Sequence, residues 1–152
     1  MKLIKTDLLN SVVDILENNL GKGVVHAKDT PNFIANRIGT YGMMCVLDFA
    51  TKMKLSVEDI DFFTGSLIGR PKSGTFRTAD IVGLDTLAYV AKTGFDRCVD
   101  DECRDTFKLP PYIDKMLENN WLGQKSGQGF YKKIDKGVIH SINLESLEYG
   151  PQ

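Results

Sequence analysis

The stretch KDTPNFIANR, residues 28–37, opens the longest helix-like run in the chain. Thr30 carries a side-chain oxygen able to accept from a backbone N–H that a helix's first turn leaves orphaned. Pro31 follows at the expected first helical position, where its missing N–H costs nothing and its fixed φ suits the helix. Asn36 comes a turn further in, between Ile34 and Ile38. Asparagine is a poor helix former, so this placement predicts a helix start that delivers a polar side chain to something. The helix is expected from Phe33 to about Lys54. Between Tyr41 and Ala50 it is apolar nearly all round, Asp48 excepted, which predicts burial on several sides or an interface. Asn36, Gly39 and Thr40 share one face and leave room for a ligand or another backbone.

Upstream, Leu8, Leu9, Val12, Val13, Leu16 and Leu20 make a one-sided helical stripe over residues 6–20, with Gly21 as its stop. Gly23–Ala27 reads as one short strand, which wants neighbours. Downstream, Ser56 and Asp59 form a capping pair for a helix with Val57, Ile60, Phe63 and Leu67 inward. Thr75–Val82 reads as a short helix stopped by Gly83, with Asp85 capping the next. Asp96–Lys108 is charge-dense and reads as a solvated loop or helix end. Pro110 and Pro111 precede a helix over about Tyr112–Asn119. Phe130–Ile134 and Val138–Ile142 flank Asp135-Lys136-Gly137, a hairpin signal that is expected to pair with Gly23–Ala27. Asn143–Gln152 reads as a linker. The fold class is mainly α, with a small β element.

Composition narrows the function. The 152 residues are 42% hydrophobic and 26% charged, with a net charge of −1, ordinary for one globular domain. That balance argues against general affinity for nucleic acid or acidic membranes. No apolar run approaches the ~20 residues of a membrane helix, and the first residues do not read as a signal peptide. Three cysteines without metal-ligand spacing, Cys45, Cys98 and Cys103, read as one core residue and two free thiols. They point to a reduced, cytoplasmic setting with no metal site.

KDTPNFIANR resembles the hinge between the nucleotide-binding and helical domains of the 3-hydroxyacyl-CoA dehydrogenase family. Two later stretches resemble the same family in the same order: GRPKSGTFRTADIVGLDT (Gly69–Thr86) and WLGQKSGQGFYKK (Trp121–Lys133). The resemblance covers the family's C-terminal domain, a helical bundle of the 6-phosphogluconate dehydrogenase C-terminal type. It divides the chain into three. Residues 1–28 would be the last helix and strand of an upstream NAD-binding domain, residues 29–134 the helical domain, and residues 135–152 the hairpin end and linker. The chain would then be a fragment of an enzyme that oxidises (S)-3-hydroxyacyl-CoA with NAD in fatty-acid β-oxidation.

The catalytic histidine–glutamate pair of the family belongs to the nucleotide-binding domain. Neither His26 nor His140 lies in that motif, and both read as partly covered strand residues. The glycine-rich dinucleotide fingerprint is missing too, since Gly127-Gln128-Gly129 lacks a third glycine and a following helix. No catalytic residue is therefore expected in this chain, nor NAD bound tightly to it. By resemblance, Asn36 matches the asparagine that hydrogen-bonds substrate near its reacting oxygen. Lys125 matches the lysine that reaches the nicotinamide half of the cofactor. Arg37 reads as an anchor to an acidic neighbour, and Asp80 and Asp85 as capping or loop-ordering carboxylates. Where the family commonly has glycine after the proline, this chain has Asn32, which tolerates unusual φ. The expected partners are the acyl-CoA substrate, the NAD-binding domain and a second copy in a homodimer. The rival reading is a free-standing, non-catalytic α-helical association module.

Overall fold

In a computed structural model, which describes residues 5–135 and 137–151, the chain folds as helices closed at one end by a small sheet. The helices are α1 (Thr6–Asp14), α2 (Ala35–Met53), α3 (Val57–Thr64), α4 (Phe76–Val82), α5 (Leu84–Arg97) and α6 (Pro111–Glu118). The strands are β1 (Tyr131–Asp135), β2 (Val138–Ile142) and β3 (Tyr149–Pro151). The core forms where α2 through α6 meet the sheet, around Met44, Leu47, Phe76, Leu84, Ile113, Met116 and Phe130. Phe76 and Phe130 pack edge to face there, 4.5 Å between ring centres, a geometry that aromatic quadrupoles favour.

Several helix ends follow the sequence. Ser56 Oγ accepts from Asp59 N at 3.1 Å and caps α3. Gly83 stops α4 at φ +97, a conformation that disfavours any Cβ. Pro111 opens α6 in its first turn. Other expectations fail. Thr30 makes no cap, and α2 starts at Ala35, because Asn32 and Phe33 take left-handed φ of +63° and +45° that no helix admits. Asp85 lies inside the first turn of α5 rather than before it. Of the α3 residues expected inward, Val57 and Ile60 are buried while Phe63 and, beyond the helix, Leu67 are exposed. The 3-10 turn Ser66–Ile68 swings the chain off the helical period, so the 3.6-residue pattern stops applying.

α2 is not apolar-buried all round. Met44, Leu47 and Ala50 face the core, whereas Phe49 and Met53 point out. Cys45 is only half-buried and Cys98 is the buried cysteine; all three are free.

The β readings divide. β1 and β2 pair antiparallel with Tyr131 opposite Ser141, turning at Gly137 with φ +84. The tail read as a linker supplies β3, with Ser141 also opposite Gly150. Asn143 makes this possible by accepting from Glu145 N and Ser146 N through its side chain, an Asx turn that reverses the chain. Gly23–Ala27, in contrast, forms no strand, and His26 there is exposed. Val25 is 74% exposed. A strand is stable only with ladder partners, and the hairpin this segment was expected to join takes β3 as its third strand instead. α1 runs into a π-helical turn, Ile15–Asn19, and none of its residues is buried.

Candidate functional site

Two turns present the candidate polar groups, and both are fastened to α5. The turn ahead of α2 is held by its own side chains. Asn32 Nδ2 donates to Val90 O on α5 at 3.0 Å. Gly94, one turn on, leaves space for that amide: a Cβ there would come within 3.3 Å of Asn32 Nδ2 and 2.9 Å of the Phe107 ring. On the far side Arg37 Nε donates to Asp101 Oδ2 at 2.8 Å, with a second bond from the guanidinium to the same oxygen. The backbone N–H of Cys103 and the Arg37 guanidinium together hold the Asp101 carboxyl below the usual carboxylate range. Arg37 is thus the anchor its sequence position suggested. Between these fastenings Asn36 stands exposed in the first turn of α2, with no side-chain hydrogen bond among the described residues. Phe33, at φ +45, is a strained residue for an aromatic, and such strain persists only where the surroundings fix it.

The second turn, residues 122–130, carries Lys125. Gly123 N donates to Gln128 O at 2.8 Å and Gln128 N returns the bond to Gly123 O at 3.1 Å. Ser126 Oγ accepts from Leu122 N at 2.8 Å inside the loop. The closed loop is fastened to the N-terminus of α5 twice. Leu84 N donates to Leu122 O at 3.2 Å, and Lys125 Nζ donates to Asp85 Oδ2 at 2.6 Å. Lys125 depresses the Asp85 carboxyl first of all, with the Thr86 N–H adding to it. Both side chains are 47% exposed, so the lysine keeps donor capacity for a further acceptor.

Underneath lies a buried carboxylate. Asp80, on α4 and 3% exposed, accepts from Phe130 N at 2.8 Å and Tyr131 N at 2.9 Å. Burial pushes its carboxyl up to about 6 in spite of those two donors, and Asp61 adds to the rise. Asp61 itself, on α3, accepts from the N–H groups of Thr75, Phe76 and Arg77 and from Tyr131 Oη, capping α4 from a neighbouring helix. Sequence reading missed this cap, since donor and acceptor lie 14 to 16 residues apart. Asp80 and Asp85 do act as loop-ordering carboxylates.

Asn36 and Lys125 are not joined by any hydrogen bond or ion pair among the described residues. Their fastening points, Val90 and Asp85, are five residues apart on α5, roughly 7–8 Å along its axis. His140 lies on β2, half-buried and opposite Lys132, and His26 is in the irregular segment before the first turn. Among the described residues no three His, Cys, Asp or Glu side chains cluster as metal ligands. Among the described residues no helix is long and apolar enough to cross a membrane. Lys125 presents a single half-exposed ammonium beside Asp85. The loop that carries it lacks the glycine-rich strand–helix turn that cradles a dinucleotide pyrophosphate.

The architecture defines a helical domain in which one central helix fixes two solvent-facing polar turns. The family model for the 3-hydroxyacyl-CoA dehydrogenase C-terminal domain matches residues 33–133, and the chain belongs to that family. A probable 3-hydroxyacyl-CoA dehydrogenase of Bacillus subtilis is 51% identical over 144 residues, which are 95% of this chain and 18% of that protein. A protein described in the same words from Deinococcus radiodurans is 43% identical over 131 residues, 85% of this chain and 37% of its own. The crystal structure of FadB2 from M. tuberculosis superposes with a TM-score of 0.72 at 27% identity, covering 87% of this chain and 45% of that one. The chain thus spans less than half the length of these relatives.

Proposed function

We propose that this chain supplies the helical half of an NAD-dependent (S)-3-hydroxyacyl-CoA dehydrogenase of fatty-acid β-oxidation. In this reading it works with a nucleotide-binding domain that carries the acid/base pair. The observation that carries the proposal is Asn36: its amide is left free at a helix start whose flanks are fastened on both sides. An amide N–H can donate to the substrate's 3-oxygen as charge changes there, without bringing a charge of its own. The fastened turn lowers the entropic cost of aiming that donor. Lys125 offers a compact positive charge to the ribose or phosphate oxygens of NAD. NAD, when bound, supplies the hydride acceptor; this chain's residues bind and orient.

The exposed Leu8, Leu9, Val12, Ile15 and Leu20 of the first helical run form an apolar face fit to dock that companion domain, with residues 1–28 belonging to it. For the homodimer, α2 offers Phe49 and Met53, and α3 and the turn after it offer Phe62, Phe63, Leu67 and Ile68. We assign the protein to the cytoplasm.

The test is Asn36→Ala in the complete two-domain enzyme. Turnover should fall about a hundredfold, the scale for losing one donor to a developing oxyanion, while NAD affinity stays within about twofold. Unchanged turnover would remove Asn36 from the site.

A further inference from the structure

We propose that Asp80 is the positioning residue for Lys125: its buried carboxylate fixes the 122–130 turn against α4 and so sets where the lysine ammonium stands. The inference rests on the reading of Lys125 as a cofactor contact, and extends it to a residue that touches neither cofactor nor substrate.

Three observations carry it. First, the two N–H groups that Asp80 holds, those of Phe130 and Tyr131, are the exit of the turn, at 2.8 and 2.9 Å. Second, the turn lies on Asp80 with no space between. A Cβ at Gly123 would stand 2.7 Å from Asp80 Cα, and one at Gly129 would overlap Asp80 Oδ1. Both glycines are therefore required by the approach itself. Third, α4 and α5 are joined only by Gly83, so Asp80 and Asp85 belong to one rigid corner. A Cβ on Gly83 would meet Asp85 Oδ1 at 2.9 Å and Lys125 Nζ at 3.0 Å. The corner grips the turn at its exit through Asp80 and at Lys125 through Asp85. Tyr149 Oη, donating to Gly129 O, adds a tie from β3.

A merely structural Asp80 would start β1 and nothing more, so the test reads Lys125 directly. In the 152-residue chain, the Asp85 carboxyl is titrated by carbon-detected NMR in wild type, Lys125→Met and Asp80→Asn. Asn keeps the size of Asp but turns an NH2 donor toward one of the two backbone N–H groups, breaking that bond. Lys125→Met should move Asp85 up toward its ordinary value, and Asp80→Asn should move it in the same direction. An Asp85 titration unchanged by Asp80→Asn overturns the proposal.

In the complete enzyme, Asp80→Asn should raise KM for NAD about tenfold with kcat within about twofold, and adding Lys125→Met should raise KM no further. Additive effects would show that Asp80 acts independently of Lys125 and would overturn the proposal. If Lys125→Met alone leaves KM for NAD unchanged, the cofactor reading fails, and the Asp85 titration still decides the positioning claim. Should Asp80→Asn not fold, Asp80→Glu, which keeps both acceptor oxygens but moves them outward, is read in the same two ways. Unchanged values there overturn the claim as well.

Discussion

The two turns fastened to α5 are built in opposite ways. The turn ahead of α2 reaches out with its own side chains: Asn32 donates to Val90 O and Arg37 donates to Asp101. The Lys125 turn does the reverse. Its backbone donates into a carboxylate that another helix has buried, while Gly123 lies against the Asp80 backbone and Gly129 against the carboxylate itself. A turn held by outward-reaching side chains loses one bond when one residue changes. A turn held by backbone and close approach has no slack, since neither donor nor spacing can be altered without moving the whole loop.

The most severe way to break that contrast is Gly129→Ala. The new methyl would overlap Asp80 Oδ1 and stand 2.6 Å from Gly123 Cα, both fixed parts of the corner. Relief requires the turn to lift off α4, leaving the buried Phe130 N–H, the half-buried Tyr131 N–H and a buried carboxylate without these partners. A loss of about 3 kcal/mol or more is expected, measured by urea unfolding. A change below about 1 kcal/mol would mean that the turn has room to move.

A gentler way to sharpen it is pH. In the unfolded chain Asp80 titrates near 3.8, and in the folded chain near 6, mainly through burial. Between these values the folded state holds more proton than the unfolded one, so stability falls as pH rises from about 4 to about 6 and levels off above. Asp61, also pushed up by burial, works in the same direction, while Asp85, Asp101 and Asp105, all lowered, lose their contribution only below about 4. Asp80 should account for a decline on the order of 1–3 kcal/mol. Denaturation midpoints at pH 4.5 and 7 should differ less in Asp80→Asn than in wild type, and an equal difference would remove Asp80 as the titrating group.

What the sequence disclosed follows the same division. The start of α3, the end of α4 and the start of α6 were legible because their signals are local: Ser56 with Asp59, Gly83, Pro111. The starts of α2 and α4 were not, since left-handed residues precede the one and Asp61 caps the other from another helix. The family match over residues 33–133 agrees with three motifs that were readable as strings. β3 was hidden because an Asx turn at Asn143 and a Gly-Pro end look the same in a linker. The strand assigned to Gly23–Ala27 shows the converse, β-forming residues without a partner. At the candidate site, Asn36 and Lys125 were visible as motif positions, and Arg37, Asp80 and Asp85 as anchoring or loop-ordering residues, but the partners they take were not. Asp80 and the 122–130 turn are about 50 residues apart, and Asn32 and Val90 are 58. Pairings at that distance leave no period in the chain.

The smallest effect is expected at Asn32, whose left-handed backbone a glycine would adopt without strain. Its φ of +63 costs an asparagine about 1 kcal/mol relative to glycine. Its side chain recovers a similar amount through the bond to Val90 O, since a neutral hydrogen bond nets about 1 kcal/mol. Glycine would remove the strain and the bond together, and would also loosen the unfolded chain by ~0.5 kcal/mol or more. Asn32→Gly should therefore shift stability by less than about 1 kcal/mol and leave turnover of the complete enzyme within about twofold. Asn32→Val, which loses the bond and places a β-branched residue at positive φ, should cost roughly 2 kcal/mol or more. Thermal unfolding of the three proteins side by side measures it. If glycine proved as damaging as valine, the Val90 bond rather than the backbone shape would be what holds Asn36 in place.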